Sequence, residues 1–200
     1  MADTKANIAI LILAAGASKR MGATIKQLLP WNTTTLLGNA INTARKSSAN
    51  QSIVVLGAHA SVVKSEIKNL EQVAITHNTD WKLGMGSSIA CGVRNLLQRS
   101  TPLDGVLVVL ADQPLIDTDY LNHMIDHFNE KDIIATDYGE RKGVPALFGK
   151  AYFSELVKLN ADYGAKDILE RHKEHIFAIK PYGKEIDVDT LEDYHKLSKK

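Results

Sequence analysis

Short apolar runs alternate with amphipathic stretches along the whole chain. The run Val106–Leu110 reads VLVVL and has no polar alternation, which is typical of a strand covered on both faces. Such runs, separated by stretches with helical periodicity, predict a three-layer α/β fold in which helices flank a twisted, mainly parallel sheet. The predicted strands are Ile8–Leu13, Ile53–Leu56, Val73–Thr76, Val106–Leu110, Ile133–Thr136, Val144–Phe148 and Ile176–Ile179. The predicted helices are Thr35–Arg45, Ser61–Asn69, Ser87–Gln98, Thr118–Phe128, Lys150–Leu159, Ala165–Arg171 and Thr190–Leu197.

Two of these strands are expected to form a hairpin. The polar, turn-rich segment DYGERKG separates Ile133–Thr136 from Val144–Phe148, which predicts a small antiparallel hairpin in or beside the main sheet. Thr190 and Asp193 resemble a capping pair at the start of the last helix. The sequence shows no repeat and no linker-like segment, so residues 1–200 are predicted to form a single domain.

Composition narrows the classes of partner. The chain carries 24 Lys and Arg residues against 23 Asp and Glu residues, a formal net charge of +1, which argues against binding of long nucleic acid. Small anionic ligands need only a local cluster of cations. The apolar run Ile8–Ala15 is too short to span a bilayer, and the single cysteine, Cys91, excludes an intrachain disulfide. We therefore expect a cytoplasmic protein that is not bound to a membrane.

The segment after the first strand has the composition of a phosphate-binding loop. Leu13–Gly22 reads LAAGASKRMG, and Lys26 follows shortly after it. In an open α/β sheet, ligands bind beyond the carboxyl ends of the strands. The small residues at positions 14–16 would let backbone N–H groups approach phosphate oxygens, and Arg20 and Lys26 would supply positive charge.

Two common phosphate loops do not fit this segment. The dinucleotide fingerprint G-x-G-x-x-G would need glycine at Ser18 and Met21 after Gly16. The P-loop needs a Gly-Lys-Ser or Gly-Lys-Thr triplet, which the sequence lacks. The alternative interpretation is a solvated turn that carries basic residues by chance.

A carboxylate follows the apolar strand Val106–Leu110. The sequence there reads LADQPL, with Asp112 two residues after the strand and Pro114 turning the chain. Mg²⁺ in proteins usually takes one or two carboxylates and completes its coordination with substrate phosphates. Asp112 is therefore a candidate Mg²⁺ ligand. The alternative is an ordinary turn aspartate before proline.

A glycine- and serine-rich segment precedes the predicted helix Ser87–Gln98. Its residues are Gly84, Met85, Gly86, Ser87 and Ser88. The free N–H groups at a helix start, together with serine hydroxyls, can hold a polar ligand. An ordinary helix N-cap explains the same residues equally well.

The order of these segments resembles a known family. LAAGASKRMG, with KQLLPW after it, resembles the signature of the nucleotidyltransferases with a glycosyltransferase-A-type fold, and most of all the molybdenum cofactor cytidylyltransferases. The matching residues are Leu13, Ala14, Ala15, Gly16, Arg20, Met21, Gly22 and Lys26. The resemblance implies that Arg20 holds the β- and γ-phosphates, that Lys26 holds the α-phosphate, and that Asp112 binds Mg²⁺. It also places a GMGSS-like segment near the nucleotide base and ribose.

Later segments extend the resemblance. Asp187–Asp193 reads DVDTLED and resembles the family motif D-x-D-T-P-E-D, with Leu191 in place of proline. By this resemblance Asp187 would complete the metal site, although Asp189 is an equally placed candidate. Acidic residues at a helix start, favoured by the helix dipole, are the alternative explanation.

Two further segments resemble family sequences that border the acceptor pocket. They are Gly143–Phe148, preceded by Arg141 and Lys142, and Tyr163–Leu169. Basic residues at this place suit an anionic acceptor. A strand and a helix start without a role in a site are the alternative.

The resemblance implies transfer of CMP from CTP to the terminal phosphate of molybdopterin, with Mg²⁺ as cofactor and pyrophosphate as second product. A molybdoenzyme that receives the product is a further candidate partner. Other functions remain open: use of GTP, a sugar-phosphate or methylerythritol-phosphate acceptor, a non-catalytic carrier of the finished cofactor, or a nicotinamide oxidoreductase. The missing dinucleotide fingerprint argues against the last.

Overall fold

The computed structural model describes residues 6–66, 73–129, 132–160 and 164–198. Strands and helices alternate in these ranges as the apolar pattern predicts. The strands are β1 (Ile8–Ala14), β2 (Pro30–Trp31), β3 (Thr34–Thr35), β4 (Gln51–Leu56), β5 (Ala74–His77), β6 (Gly105–Leu110), β7 (Ile133–Asp137), β8 (Lys142–Gly149) and β9 (Ile176–Ile179). The α-helices are α1 (Leu36–Lys46), α2 (Ala60–Glu66), α3 (Met85–Leu97), α4 (Thr118–Asp126), α5 (Phe153–Leu156), α6 (Lys166–Arg171) and α7 (Leu191–Ser198).

The main sheet is mostly parallel and has the order β5-β4-β1-β6-β8-β7-β9. Strand β1 lies in its interior, third from the β5 edge, and pairs in parallel with both β4 and β6. Strand β8 is antiparallel to its neighbours β6 and β7, so the predicted hairpin is inserted within the sheet. The α/β fold with a small antiparallel hairpin is therefore confirmed.

Strand β1 separates two hydrophobic clusters. Because successive side chains of a strand point to opposite faces, Ile8, Ile10 and Ile12 join the cluster that includes residues of α1 and α4. Leu11 and Leu13 join the opposite cluster, which includes residues of α3 and α6. Burial of one such aliphatic side chain stabilises the fold by about 1.5–3 kcal/mol. An apolar run without alternation thus indicates the helix layers on both sides of the sheet.

Some boundaries differ from the prediction. The predicted helix Lys150–Leu159 is a 3₁₀ turn, Lys150–Tyr152, followed by the short helix α5, whose buried residues Phe153 and Leu156 lie one turn apart. The predicted helix Ser61–Asn69 begins one residue earlier, and its positions 67–69 lie outside the described residues. The two-residue pairing of β2 with β3 has no counterpart in the prediction.

The last helix begins with the predicted capping pair. The Asp193 carboxylate accepts from the backbone N–H of Thr190 at 2.9 Å, and the Thr190 hydroxyl accepts from the N–H of Asp193 at 3.1 Å. This reciprocal arrangement fixes where α7 starts relative to the segment before it. Within the described ranges, no helix combines the length and hydrophobicity needed to cross a membrane.

Candidate active site

A cavity of about 780 Å³ lies at the carboxyl ends of β1 and β6. This is the edge where ligands bind in open α/β sheets. All of the predicted site residues except Gly86 and Ser87 line it. The lining includes Leu13, Ala14, Ala15, Gly16, Arg20, Lys26, Gly84, Met85, Ser88, Asp112 and Asp187.

A buried glutamine holds the loop after β1 in shape. The side-chain amide of Gln27 donates to the carbonyl of Ala14 at 3.0 Å and to that of Gly16 at 2.9 Å. Gln27 is only 4% exposed, so these bonds replace water for two loop carbonyls. The Ser18 hydroxyl accepts from the backbone N–H of Lys26 at 3.0 Å, which ties the loop to its lysine. Gln27 directly follows Lys26 in KQLLPW but is not among the site residues predicted from the sequence.

Gly16 presents open backbone to the cavity. A methyl group built at this position would meet no atom within 4 Å. The loop ends at Gly22, whose φ of 62° lies in the left-handed region that favours glycine. A ligand can therefore approach the backbone closely at Gly16, as the composition of the loop indicates.

Two cations from the loop meet carboxylates from distant parts of the chain. Lys26 Nζ lies 2.6 Å from Asp112 Oδ2 and 3.4 Å from Asp189 Oδ1. Arg20 Nη2 lies 2.8 Å from the same oxygen of Asp189. The Lys26 side chain is only 15% exposed, whereas that of Arg20 is 68% exposed. The first ion pair is thus the more sheltered from solvent.

Asp187 and Asp189 are brought to the cavity by the residue between them. Val188 is completely buried beside Met21, Trp31 and Leu36, and its N–H donates to the carbonyl of Asp112 at 2.8 Å. The side chains of Asp187 and Asp189 both line the cavity. Burial, reinforced by the charge of Asp112, raises the pKa of Asp187 to about 6.

The carboxylates fit a divalent cation. Among the described residues, no donor reaches the buried oxygens Asp112 Oδ1 and Asp187 Oδ1. Unpartnered carboxylate oxygens are costly to bury, and a bound cation would satisfy both. No group of three or more His, Cys, Asp or Glu residues in the described part of the chain could hold a metal by itself. Two carboxylates suit Mg²⁺, which completes its coordination with phosphate and water.

The start of α3 differs in part from the prediction. Ser87 is buried, and its hydroxyl lies within hydrogen-bonding distance of the carbonyls of Gly84 and Asp80 and accepts from Asn78. Gly86 is also buried in the first turn of α3. These two residues therefore shape the helix start and do not line the cavity, whereas Ser88 does. Trp81, which the sequence analysis did not select, lines the same side of the cavity just before Gly84.

A second cavity of about 310 Å³ adjoins the first. The two share Met85, Leu110 and Asp187 as a common wall. Of the segments predicted to border an acceptor pocket, the second cavity is lined by Gly143, Val144, Ala165, Lys166 and Leu169. Pro145–Phe148 do not line it, and Tyr163 lies outside the described residues.

Three basic residues line the second cavity. Arg141 lies over the ring of Tyr138 at 5.0 Å, and Lys142 pairs with Asp137 at 2.5 Å. Lys166 adds a third cation from the first turn of α6. The second cavity is thus suited to an anionic group.

Comparison with known proteins shows the family to which the chain belongs. The family model described as MobA-like NTP transferase domain matches residues 10–176. Nicotine blue oxidoreductase of Paenarthrobacter nicotinovorans is 30% identical, with 94% of each chain covered. Purine catabolism protein PucB of Bacillus subtilis (strain 168) is 28% identical, with 92% of each chain covered.

A solved structure extends the similarity to the fold. The crystal structure of Rv0371c from Mycobacterium tuberculosis H37Rv has a TM-score of 0.83 at 30% identity and covers 98% of this chain and 100% of that one. The same protein in complex with manganese has a TM-score of 0.77 at 29% identity, covering 96% of this chain and 98% of that one. The manganese belongs to that relative.

We predict that Gly16→Ala weakens binding of an NTP by about tenfold or more, because the added methyl group projects into the space that the phosphates would use. Calorimetric titration measures the affinity. The free energy of unfolding should change by less than about 0.5 kcal/mol. Gly139→Ala is the control, because φ of 82° there makes the substitution costly for stability while binding stays normal. Unchanged affinity in Gly16→Ala would show that no ligand approaches this backbone.

We predict that Asp187→Asn raises the melting temperature of the metal-free protein at pH 8 by about 2–4 °C. A pKa raised to about 6 means that the ionised carboxyl destabilises the fold above that pH. Partial exposure limits the effect to about 1 kcal/mol. The gain should therefore shrink as the pH falls to 5. Scanning calorimetry in EDTA gives the test, with the exposed Glu192→Gln as control. A lower melting temperature at pH 8 would contradict the cost assigned to this carboxylate.

Proposed function

We propose, from the premise that this chain belongs to the MobA-like NTP transferase family, that it transfers CMP from CTP to the terminal phosphate of a molybdopterin-type acceptor and releases pyrophosphate. One observation carries the proposal: Lys26 and two unpartnered carboxylate oxygens, of Asp112 and Asp187, line one cavity, and Asp187 also lines the cavity that adjoins it. A cation of the loop and a metal-binding pair are the groups that a triphosphate needs. The reaction is expected to take place in the cytoplasm.

The protein's part in this reaction is alignment and charge neutralisation. The nucleophile is an ionised phosphate oxygen of the acceptor, so no side chain has to remove a proton. Lys26, at the sheltered end of the cavity, would stabilise charge that develops at the α-phosphorus. Arg20, at the exposed mouth, would hold the leaving pyrophosphate.

Mg²⁺ would be held by Asp112 and Asp187. Each carboxylate has a buried oxygen that no donor in the described ranges satisfies, and Asp112 still has its second oxygen for Lys26. The bound cation would neutralise phosphate charge and lower the cost of the negative charge on Asp187. The manganese complex of a relative that is 29% identical supports a divalent cation in this family.

The second cavity supports an anionic acceptor. Its lining includes the basic residues Arg141, Lys142 and Lys166 together with Met85, Leu110 and Asp187, which it shares with the nucleotide cavity. An in-line displacement requires the acceptor phosphate to attack from the side opposite the leaving pyrophosphate, and an acceptor bound in the adjoining cavity would lie next to the nucleotide. A molybdoenzyme that takes the product is a proposed partner.

A redox function is the competing hypothesis, because one relative is named an oxidoreductase. The loop of this chain lacks G-x-G-x-x-G, and the paired carboxylates and cations suit a metal-bound polyphosphate better than a dinucleotide. Release of pyrophosphate on mixing CTP, Mg²⁺ and acceptor tests the transferase. Oxidation of NADH or NADPH by the same preparation, without pyrophosphate release, would reject the transferase function in favour of a redox function. Binding of the finished cofactor without either reaction would indicate a carrier.

We predict that Lys26→Ala lowers turnover at least about a hundredfold, because it removes a preorganised charge at the α-phosphate. Loss of the partner of Asp112 should cost about 1–3 kcal/mol of stability, which leaves the protein folded. Pyrophosphate release is measured beside circular dichroism. Lys196→Ala, which removes an exposed lysine of α7, is the matched control. Near-normal turnover would remove Lys26 from the mechanism.

We predict a preference for CTP over GTP, measured as kcat/KM in competition with one acceptor. The phosphates cannot supply this preference, because all NTPs share them, so it must come from the base pocket between Ala15 and Gly84. The methyl group of Ala15 would narrow that pocket against a purine, but a single methyl group discriminates between bases by only about 1–3 kcal/mol. Ala15 is 7% exposed and packs against Gly57, so Ala15→Gly should reduce the preference only in part.

A preference of the unmodified protein for GTP would reject the cytidylyl assignment. An unchanged CTP-to-GTP ratio in Ala15→Gly would instead leave that assignment intact and refute the role of the methyl group.

A further inference from the structure

Asp189 is the only carboxylate in the described ranges that pairs with both Arg20 and Lys26. Its Oδ1 lies 2.8 Å from Arg20 Nη2 and 3.4 Å from Lys26 Nζ. These are the two groups assigned above to the phosphates of the nucleotide. The Asp189 side chain is 32% exposed and lines the cavity, so a ligand can displace it without breaking the core.

Asp187 and Asp189 differ in what their oxygens contact. Asp187 Oδ1 is buried and has no donor among the residues described, whereas Asp189 Oδ1 contacts two cations. Val188 between them is buried and bonded through its N–H to Asp112. This anchor holds the backbone of the segment in place, whereas the Asp189 side chain is partly exposed in the cavity. The two carboxylates are therefore not interchangeable.

We propose that Asp189 is a positioning residue: an internal counter-ion that holds Arg20 and Lys26 across the cavity and is displaced by the polyphosphate of the nucleotide. The proposal rests on the proposed function, since it takes the two cations to be phosphate ligands. Before the nucleotide binds, Asp189 offsets their mutual repulsion and keeps both side chains directed into the cavity.

The displacement of Asp189 lowers the binding affinity of every polyphosphate. A triphosphate gains Arg20 and Lys26 only when Asp189 gives them up, so Asp189 lowers polyphosphate affinity. The same competition applies to pyrophosphate after the reaction and favours its release. Asp189 is thus expected to weaken binding at both ends of the cycle while the metal pair, Asp112 and Asp187, is unaffected.

The test measures binding of inorganic tripolyphosphate in EDTA at low ionic strength by titration calorimetry. Asp189→Asn keeps the shape and removes the charge, and it should bind tripolyphosphate about three- to tenfold more tightly than the unmodified protein. Asp189→Ser should change the affinity in the same direction. Asp189→Glu, which keeps the charge, should restore the original affinity. The gain should shrink in 0.5 M salt, at about a 4–5 Å Debye length.

Glu192→Gln is the matched control, because Glu192 lies on the same segment and pairs only with the exposed Lys196 among the ion pairs found. It should leave tripolyphosphate affinity unchanged. In steady-state assays, Asp189→Asn should lower KM for the nucleotide without raising kcat. If Asp189 had only a structural role, Asp189→Asn would lower the melting temperature without lowering KM for the nucleotide.

Two results would overturn the proposal. Unchanged or weaker tripolyphosphate binding in both Asp189→Asn and Asp189→Ser would show that Asp189 does not compete with phosphate. Loss of Mn²⁺ affinity in Asp189→Asn, equal to that in Asp187→Asn, would make Asp189 a metal ligand instead. If the unmodified protein binds neither tripolyphosphate nor any NTP, the proposed function itself fails. If it binds them and the Asp189 variants bind no more tightly, only the role of Asp189 fails.

Discussion

The architecture of the site depends on the balance of charge around Lys26. Asp112 comes from the end of β6, and Asp187 and Asp189 come from the segment before α7, more than 70 residues later. Three carboxylates so close together repel one another unless a cation lies among them. The lysine supplies that cation from the loop after β1, and it joins the beginning of the described chain to its end.

The parallel sheet makes this meeting possible. Because β1 and β6 are adjacent and run in the same direction, the loop after one strand and the aspartate after the other emerge at the same edge. The hydrogen bond from the backbone N–H of Val188 to the carbonyl of Asp112 then attaches the segment before α7 to that edge. Gln27 contributes from inside the loop, where its amide replaces water for the carbonyls of Ala14 and Gly16. Contacts with the backbone thus hold the segments of the site in place, and these segments carry its charged side chains.

Much of the fold could be predicted because long apolar runs and helical periodicity are local properties of the sequence. Strand β9 matches its predicted bounds, and the hairpin of β7 and β8 is where the turn-rich segment indicated. The pairing of β2 with β3 was missed because two residues per strand give no periodicity. Ser87 and Ser88 could not be told apart, because neighbours on a helix point about 100° apart and only the packing decides which one faces the cavity. Gln27 was not selected because its partners are backbone carbonyls, which local patterns do not show. Asp189 was considered only as an alternative to Asp187 at the metal site, because its partners Arg20 and Lys26 are distant in sequence.

The antiparallel direction of β8 has a consequence for how such a protein can diversify. Since β8 runs against β6, its first residues, Lys142 and Gly143, lie beside the end of β6, where the nucleotide cavity begins. Part of the wall of the second cavity is therefore formed by a hairpin whose turn faces solvent, while the loop after β1 follows an interior strand of the sheet. Changes of length or sequence in that turn would alter the second cavity and leave the loop after β1 intact. Under the proposed function, the choice of acceptor could then change without any change in the loop that binds the nucleotide.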